Sequence, residues 1–192
     1  MDARQLRTRA RLATAVLQLG AQKPITQVSV SELAAAAEIN RSTFYEHSDS
    51  PAALLRATLR AELDQIRDRN LAAIENVPKA LQNTTSEVLE HVASHDEIYQ
   101  RGLGLDDDSG ELHSMLSAHF QGSVHQLLDS GHLKLPASTY PDLLSDTVAR
   151  FVADGTVGAI EAWLRTPSPR DNAAFIETYY LVMPAWWPKP KK

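Results

Sequence analysis

Residues 29–48, SVSELAAAAEINRSTFYEHS, carry the signals of two short helices joined by a tight turn. Ser29 followed by Glu32 is a capping box, which starts the first helix at Val30. Leu33, Ala34 and Ala37 give that helix an apolar face with small side chains, so a second helix can approach closely. Asn40 is a favoured N-cap residue, and the second helix is expected from Arg41 to about His47. Ile39 and Phe44 fill the angle between the two. Arg41, Ser42, Thr43, Tyr45 and His47 are left facing outward. Arginine reads guanine edges, hydroxyls bond phosphate or bases, and Tyr or Thr meets a thymine methyl. This is the pattern of a helix-turn-helix that lays its second helix in the major groove. A buried helical hairpin has the same spacing, but the caps, the small-residue face and the polar outer surface agree on nucleic acid.

The rest of the composition is compatible with that reading. The chain has 192 residues, 43% hydrophobic and 22% charged, enough for a real core in one large domain or two small ones. It has no cysteine, which excludes disulfides and thiolate metal sites. Residues 12–20, LATAVLQLG, follow an arginine-rich start, but Gln18 interrupts them and no small-residue cleavage site follows. No apolar run approaches the roughly 20 residues of a membrane span. A soluble, cytoplasmic protein with no membrane partner is expected. The net charge of −5 opposes a nucleic-acid partner until its distribution is read. Residues 1–60 hold eight Lys/Arg against five Asp/Glu, and residues 61–192 hold eleven against nineteen. The basic part contains the helix-turn-helix, and local charge governs phosphate binding.

Leu6, Ala10, Ala13 and Leu17 form one stripe of an amphipathic first helix, with Arg4, Arg7, Arg9 and Arg11 crowding its start. Charge runs are usually solvated faces. Beside a recognition helix, Arg4, Arg7 and Arg11 are expected to hold phosphates. Pro24 ends this segment. Ser50-Pro51 opens a long helix whose Leu54, Leu55, Leu59 and Leu63 continue to about Ile74, joining the basic region to the acidic one without a flexible linker. The division expected is 1–50, a DNA-binding domain, and 51–192, a larger helical domain. Pro78, Ser94 to Glu97, Ser109, Pro141 and Ser168 to Asp171 mark further helix starts, and strand-like alternation is absent, so the fold class is all-α. Residues 188–192, PKPKK, read as a solvated tail. Two late segments, Leu144–Leu164 and Phe175–Met183, are more apolar than one core face requires, which points to an interface beyond the chain's own core.

Ile39-Asn40-Arg41-Ser42-Thr43-Phe44-Tyr45 resembles the recognition segment of the TetR family of bacterial transcriptional regulators. That family carries a small residue, Thr, an apolar residue and Tyr where this chain has Ser42 to Tyr45. The resemblance is specific over residues 4–60 and architectural beyond. Three positions depart from it. Glu38 stands where the family has Gly in the turn, at a cost of roughly 1 kcal/mol if the backbone there is left-handed. Ser48 replaces a Phe, and Pro51 replaces a phosphate-binding Lys. The resemblance implies a homodimeric repressor of a double-stranded DNA operator, in which 51–192 is the ligand-binding and dimerisation domain, paired through its last two helices and relieved by a small-molecule effector in a C-terminal cavity. Arg41, Ser42, Thr43 and Tyr45 would touch bases or nearby phosphates, with Asn40 and His47 flanking on the backbone. Leu116, Phe120, Val124 and Phe151 are equally core or pocket residues, so no ligand-binding residue is assigned.

No other chemistry has support. His91 and His95 have metal-ligand spacing, but no Glu follows His91 as H-E-x-x-H demands and no third ligand is placed, so both read as surface residues and no metal is assigned. Asp106 to Gly110 lacks the spaced oxygens of a calcium loop and reads as a solvated turn. There is no G-x-S-x-G and no phosphate-cradling glycine loop, hence no catalytic residue and no cofactor. Two alternatives stay open: a DNA-binding dimer controlled by a protein partner instead of a small effector, and a metal sensor or metal-dependent enzyme using the histidines.

Overall fold

The computed structural model describes residues 3–72, 74–104 and 110–189. Within them the chain forms α1 (Ala3–Gln22), α2 (Val30–Ala36), α3 (Arg41–Tyr45), α4 (Pro51–Leu71), α5 (Val77–Ser94), α6 (Asp96–Gly102), α7 (Glu111–Asp129), α8 (Pro141–Leu164) and α9 (Asn172–Val182), with a 3-10 turn at Ile25–Gln27. No strand is present among the described residues, so the fold is all-α. Asp106 to Ser109 and the last three residues of the tail lie outside the described residues.

Side chains start three of these helices where the sequence predicts. The Ser29 hydroxyl accepts from the Glu32 backbone N–H at 3.1 Å, and the Ser50 hydroxyl accepts from that of Ala53 at 3.1 Å, with Pro51 at the first helical position. Asp171 accepts from the backbone N–H groups of Ala173 and Ala174 at 2.8 and 3.1 Å. One cap is new: the Asn76 side chain accepts from the Lys79 N–H at 3.0 Å, so α5 begins at Val77 rather than Pro78. α4 ends at Leu71, short of the expected Ile74.

The first helix requires a correction. Its buried stripe is Leu12, Ala15, Val16 and Gly20, whereas Leu6 is 53% exposed and Ala10 is exposed. The helical period of the expected stripe was sound and its phase was wrong. α1 packs on α2, α4 and α6, and its burial begins at Leu12, so the apolar residues of its first turns stay exposed.

α4 spans the molecule. At about 1.5 Å per residue it is a rod roughly 30 Å long. It buries Leu55, Leu59, Leu63, Ile66 and Leu71 against α1 and the 3-10 turn, and against α5 and α7. The core is one contiguous cluster from Leu12 to Trp187, with no solvent layer between the basic and acidic regions. α6 adds a polar tie, because the Arg101 guanidinium donates to the carbonyl of Gly20 at 2.7 Å and to that of Ala21, at the C-terminal end of α1. α7 packs along α8, burying Leu116, Val124 and Leu127 with Val148, Val152 and Ile160.

α8 and α9 each leave an apolar face uncovered. Leu143 is 66% and Phe151 75% exposed on α8, and Leu181 is 75% and Val182 73% exposed on α9. Gly155 and Gly158 lie in open space, where an added Cβ would meet nothing within 4 Å, so no packing inside the chain requires glycine at either position. Among the described residues no helix is long and apolar enough to cross a membrane.

Candidate nucleic-acid interface

α2 and α3 form the helix-turn-helix, and backbone hydrogen bonds define its turn. The Ile39 N–H donates to the Ala34 carbonyl at 2.9 Å and the Glu38 N–H to that of Ala35 at 3.0 Å. These are the paired bonds of a Schellman motif, in which the residue after the C-cap takes a left-handed conformation. Glu38 occupies that position with φ +49°, the single non-glycine positive φ among the described residues. A Cβ there opposes the following carbonyl, which costs about 1 kcal/mol relative to glycine. Arg11 braces the turn from α1. Its guanidinium donates to the Glu38 backbone carbonyl at 3.2 Å and pairs with the Glu38 carboxylate. At the other end of α2, Lys23 pairs with Glu32 at 2.8 Å. The Lys23 hydrogen bond is the main cause holding the Glu32 carboxyl below its usual range, with a smaller contribution from the Ser29 backbone N–H that completes the capping box.

Phe44 fixes the orientation of α3. It is fully buried, with Leu33, Ala34 and Ala37 of the preceding helix and turn buried beside it and Ile39 packed against the same core. The Tyr45 ring meets the Phe44 ring edge-on, 5.4 Å between centroids, and remains 54% exposed. Arg41, Ser42 and Tyr45 are exposed, while Thr43 and His47 are half-buried beside them. Asn40 takes the N-cap backbone conformation, but its side chain bonds no helix N–H and stays exposed. The helix is shorter than expected, ending at Tyr45 because the N–H groups of His47 and Ser48 both turn back onto the Phe44 carbonyl, at 2.9 and 3.0 Å. Ser48 closes the loop to α4 through its hydroxyl, which donates to the Ser50 carbonyl at 3.1 Å. Pro51 is buried.

Of the N-terminal arginines, Arg4, Arg7 and Arg9 lie on the exposed first turns of α1, with the Arg7 Nε donating to the Ala3 carbonyl at 3.2 Å. Arg11 is also exposed but is engaged by Glu38, a partner the sequence spacing does not reveal.

The acidic region holds two polar arrangements beside the core. At the α4–α5 contact, the Glu62 Oε2 is 3.3 Å from His91 Nδ1 and 2.9 Å from His95 Nε2. The other His91 ring nitrogen is 2.8 Å from the hydroxyl of Tyr99, which is fully buried. The surface reading of these histidines fails for His91, which is 8% exposed, and holds only partly for half-buried His95. Burial, and then the charges of His95 and His119, lower the His91 pKa to about 3, so it is neutral. Two residues further along α4, Asp64 bonds buried His119 of α7 at 3.0 Å and also pairs with Arg67 at 2.9 Å. Burial outweighs Asp64 and holds the His119 pKa below its ordinary value.

A cavity of about 90 Å³ opens among α4, α5, α7, α8, α9 and the residues after α9. Its walls are mostly apolar, including Leu63, Val88, Phe120 and Val124, with Tyr179 and Thr156 hydrogen-bonded to each other at 2.8 Å. Two further lining residues are less settled. The Tyr180 hydroxyl and Trp187 Nε1 are buried with no hydrogen-bond partner among the described residues. Burial pushes the Tyr180 pKa up to about 12, so the hydroxyl keeps its proton. Leu116 is core and does not line the cavity, and Phe151 points to solvent. Neither Tyr180 nor Trp187 carries a sequence signal, because an aromatic at helical spacing reads as core.

No protein-family model matches the chain, and no curated protein matches it by sequence. Solved structures do. A TetR transcriptional regulator from Streptococcus agalactiae is 15% identical with a TM-score of 0.64, over 93% of this chain and 94% of that one. The Thermus thermophilus FadR, a TetR-family transcriptional repressor solved with lauroyl-CoA, is 20% identical with a TM-score of 0.62, over 96% and 100%. The dihydroxyacetone kinase operon activator DhaS is 15% identical with a TM-score of 0.62, over 91% and 94%. At these identities the likeness is one of fold: the chain has the TetR-like all-α fold over nearly its whole length.

Proposed function

We propose that this protein is a sequence-specific DNA-binding transcriptional regulator that acts as a homodimer and responds to a small molecule. The observation that carries the reading is the outer surface of α3. Arg41, Ser42 and Tyr45 project together from a helix anchored by fully buried Phe44, in the basic part of an acidic protein. Arg41 makes a bidentate guanine contact, the hydroxyls of Ser42, Thr43 and Tyr45 bond bases or phosphates, and Asn40 and His47 flank on the backbone. The unbonded Asn40 carboxamide is available for that role. Arg4 and Arg7 supply phosphate contacts from α1. The functional division falls at Ser50, with 1–50 binding DNA and 51–192 dimerising and sensing.

The exposed apolar faces of α8 and α9 form the dimer contact, and Gly155 and Gly158 let a second copy approach closely. The effector is a small, mainly apolar molecule with a hydrogen-bond acceptor, taken up by the cavity where Tyr180 and Trp187 donate. These unpartnered donors favour a small-molecule effector over control by a protein partner alone. Helices α4 and α5 line the cavity, and α4 follows the recognition helix directly. A shift of α4 on binding changes the separation of the two recognition helices, which must match half-sites about 34 Å apart or a multiple of it. Both a repressor and an activator share this fold, so the sign of regulation is set by where the operator lies.

The test is selection of bound duplexes from a random library by the purified full chain. The expected result is a two-fold-related sequence with half-sites about one helical turn apart. Recovery of no enriched sequence refutes DNA reading. An enriched sequence without two-fold symmetry refutes the dimer.

A further inference from the structure

We infer that Glu62, His91 and His95 form a binding site for a divalent cation of the zinc class, which ties α4 to α5. Metal binding is independent of the DNA-binding reading and is measured without DNA. The three side chains come from two elements: Glu62 lies midway along α4, His91 is in the last turn of α5, and His95 is the residue that caps it. One ligand atom from each residue lies within 4.8 Å of the others. Metal–nitrogen and metal–oxygen bonds of about 2.0–2.1 Å in a tetrahedral site separate the ligand atoms by about 3.3 Å. The His91 Nδ1 to Glu62 Oε2 distance is already 3.3 Å, and the His95 Nε2 to Glu62 Oε2 distance of 2.9 Å needs only a small opening.

The donor set selects the ion. Two imidazoles and one carboxylate suit zinc and its first-row neighbours, whereas magnesium and calcium favour all-oxygen shells. Three protein ligands leave a fourth tetrahedral position for water or another small ligand. The surroundings are built as outer shells of such sites are. With His91 Nδ1 on the metal, its proton sits on Nε2 and is donated to the Tyr99 oxygen 2.8 Å away, which fixes the ring. Tyr99 is fully buried on α6, so this bond is sheltered from water. Without metal the same ring nitrogen accepts from the Tyr99 hydroxyl while His91 Nδ1–H faces Glu62. His95 Nε2, which also faces the Glu62 carboxylate, must be freed in the same way, so binding moves one proton within each ring, from Nδ1 to Nε2 in His91 and from Nε2 to Nδ1 in His95, and makes or breaks no covalent bond to carbon. The i, i+4 histidines alone are a weak signal. Packing of α4 on α5 supplies the carboxylate, and the ion lies on the rod that joins the two parts of the molecule.

The test uses the full chain, purified untagged and stripped with chelator, titrated calorimetrically with Zn(II) and separately with Mg(II). One Zn(II) per chain is expected to bind at micromolar concentration or tighter, with no response to Mg(II), and Co(II) in its place should give visible tetrahedral absorption bands. Glu62→Gln and His95→Asn should each weaken Zn(II) by more than the about 10–100-fold typical of losing an outer-shell partner, and Tyr99→Phe by about tenfold. Zn(II) should raise the melting temperature of the wild type but not of His95→Asn. A variant lacking both His113 and His125, which pair with Glu161 and Asp146 elsewhere, should bind Zn(II) as the wild type does. The inference is overturned by a wild type that takes up no Zn(II), or by a folded His95→Asn protein that binds it unchanged. Should Glu62→Gln fail to fold, half-buried His95 still decides the question.

Discussion

The helix-turn-helix and the C-terminal helical region solve opposite problems. In residues 29–50 nearly every determinant is local: Ser29 bonds Glu32, Ser50 bonds Ala53, and the Schellman bonds run from Ile39 to Ala34 and from Glu38 to Ala35. Polar side chains there serve backbone ends, face solvent or, as Glu32 and Glu38 do, form surface ion pairs with Lys23 and Arg11. In the C-terminal region polar side chains are buried or half-buried and reach across helices, as in Glu62 to His91, Asp64 to His119, Arg170 to Asp96 and Thr156 to Tyr179. The first arrangement builds a rigid outer surface from few residues. The second keeps a core with polar groups and spare room, which a ligand or ion can reorganise. The proposed DNA-binding surface is thus specified by neighbours in sequence, whereas the cavity and the polar contacts around it depend on partners brought from distant segments.

The comparison is broken most severely by disconnecting two copies. Phe151→Asp should give monomers in analytical ultracentrifugation and weaken operator binding by about 100- to 10,000-fold, since two linked half-site contacts become one. A wild type that is monomeric at micromolar concentration refutes the dimer, and a variant that stays dimeric refutes this face. Next in size, Phe44→Ala should destabilise the N-terminal helices by about 3–5 kcal/mol, because a fully buried ring leaves a cavity behind. Hydrogen exchange should show α2 and α3 opening while α7 and α8 keep their protection. Equal loss in all four would mean the two regions fold as one unit.

Arg41→Ala sharpens the local side. It should cost about 1–3 kcal/mol on the selected operator and relax one base position, read by anisotropy against single-base variants. A uniform loss across all sequences would reduce Arg41 to a phosphate contact. Glu38→Gly should be worth about 1 kcal/mol in the stabilising direction by removing the left-handed strain, a rise of about 2–4 °C in melting temperature. The same change removes the carboxylate partner of Arg11 and leaves the bond to the backbone carbonyl, so operator affinity should rise and its salt dependence steepen if Arg11 then holds a phosphate. A fall in stability would show that the Arg11 brace outweighs the strain.

The smallest effect belongs to the interior. His119 faces Asp64, Arg67 and Arg60 of α4 and lies near His91 of α5, and its folded pKa is below the unfolded value of about 6.5. The unfolded chain therefore takes up a proton that the folded chain does not. Stability is full above about pH 6.5 and falls as the pH drops below it. Urea midpoints at about pH 7.5 and about pH 5.5 should differ in the wild type and differ less in His119→Asn. An equal drop in both proteins would assign the acid sensitivity to other groups.

Sequence reasoning reached the all-α class, the helix-turn-helix, Ser29, Ser50 and Asp171 as caps, the left-handed strain at Glu38, and the surplus apolar residues of the last two helices. Each of these depends on residues within a turn or two of one another, where bond geometry and helical period act directly on the chain. Tertiary structure decided the phase of α1, because only packing shows that its buried face begins at Leu12. It also decided that Arg11 braces the turn at Glu38, that His91 is buried against Glu62, and that Tyr180 and Trp187 face a cavity with their donors unpaired. Those facts join residues 27, 29 and more positions apart, or concern empty space, and neither separation nor emptiness leaves a trace in local pattern. Burial, which sets both the protonation of His91 and the exposure of Phe151, belongs to the assembled helices and to no single one of them.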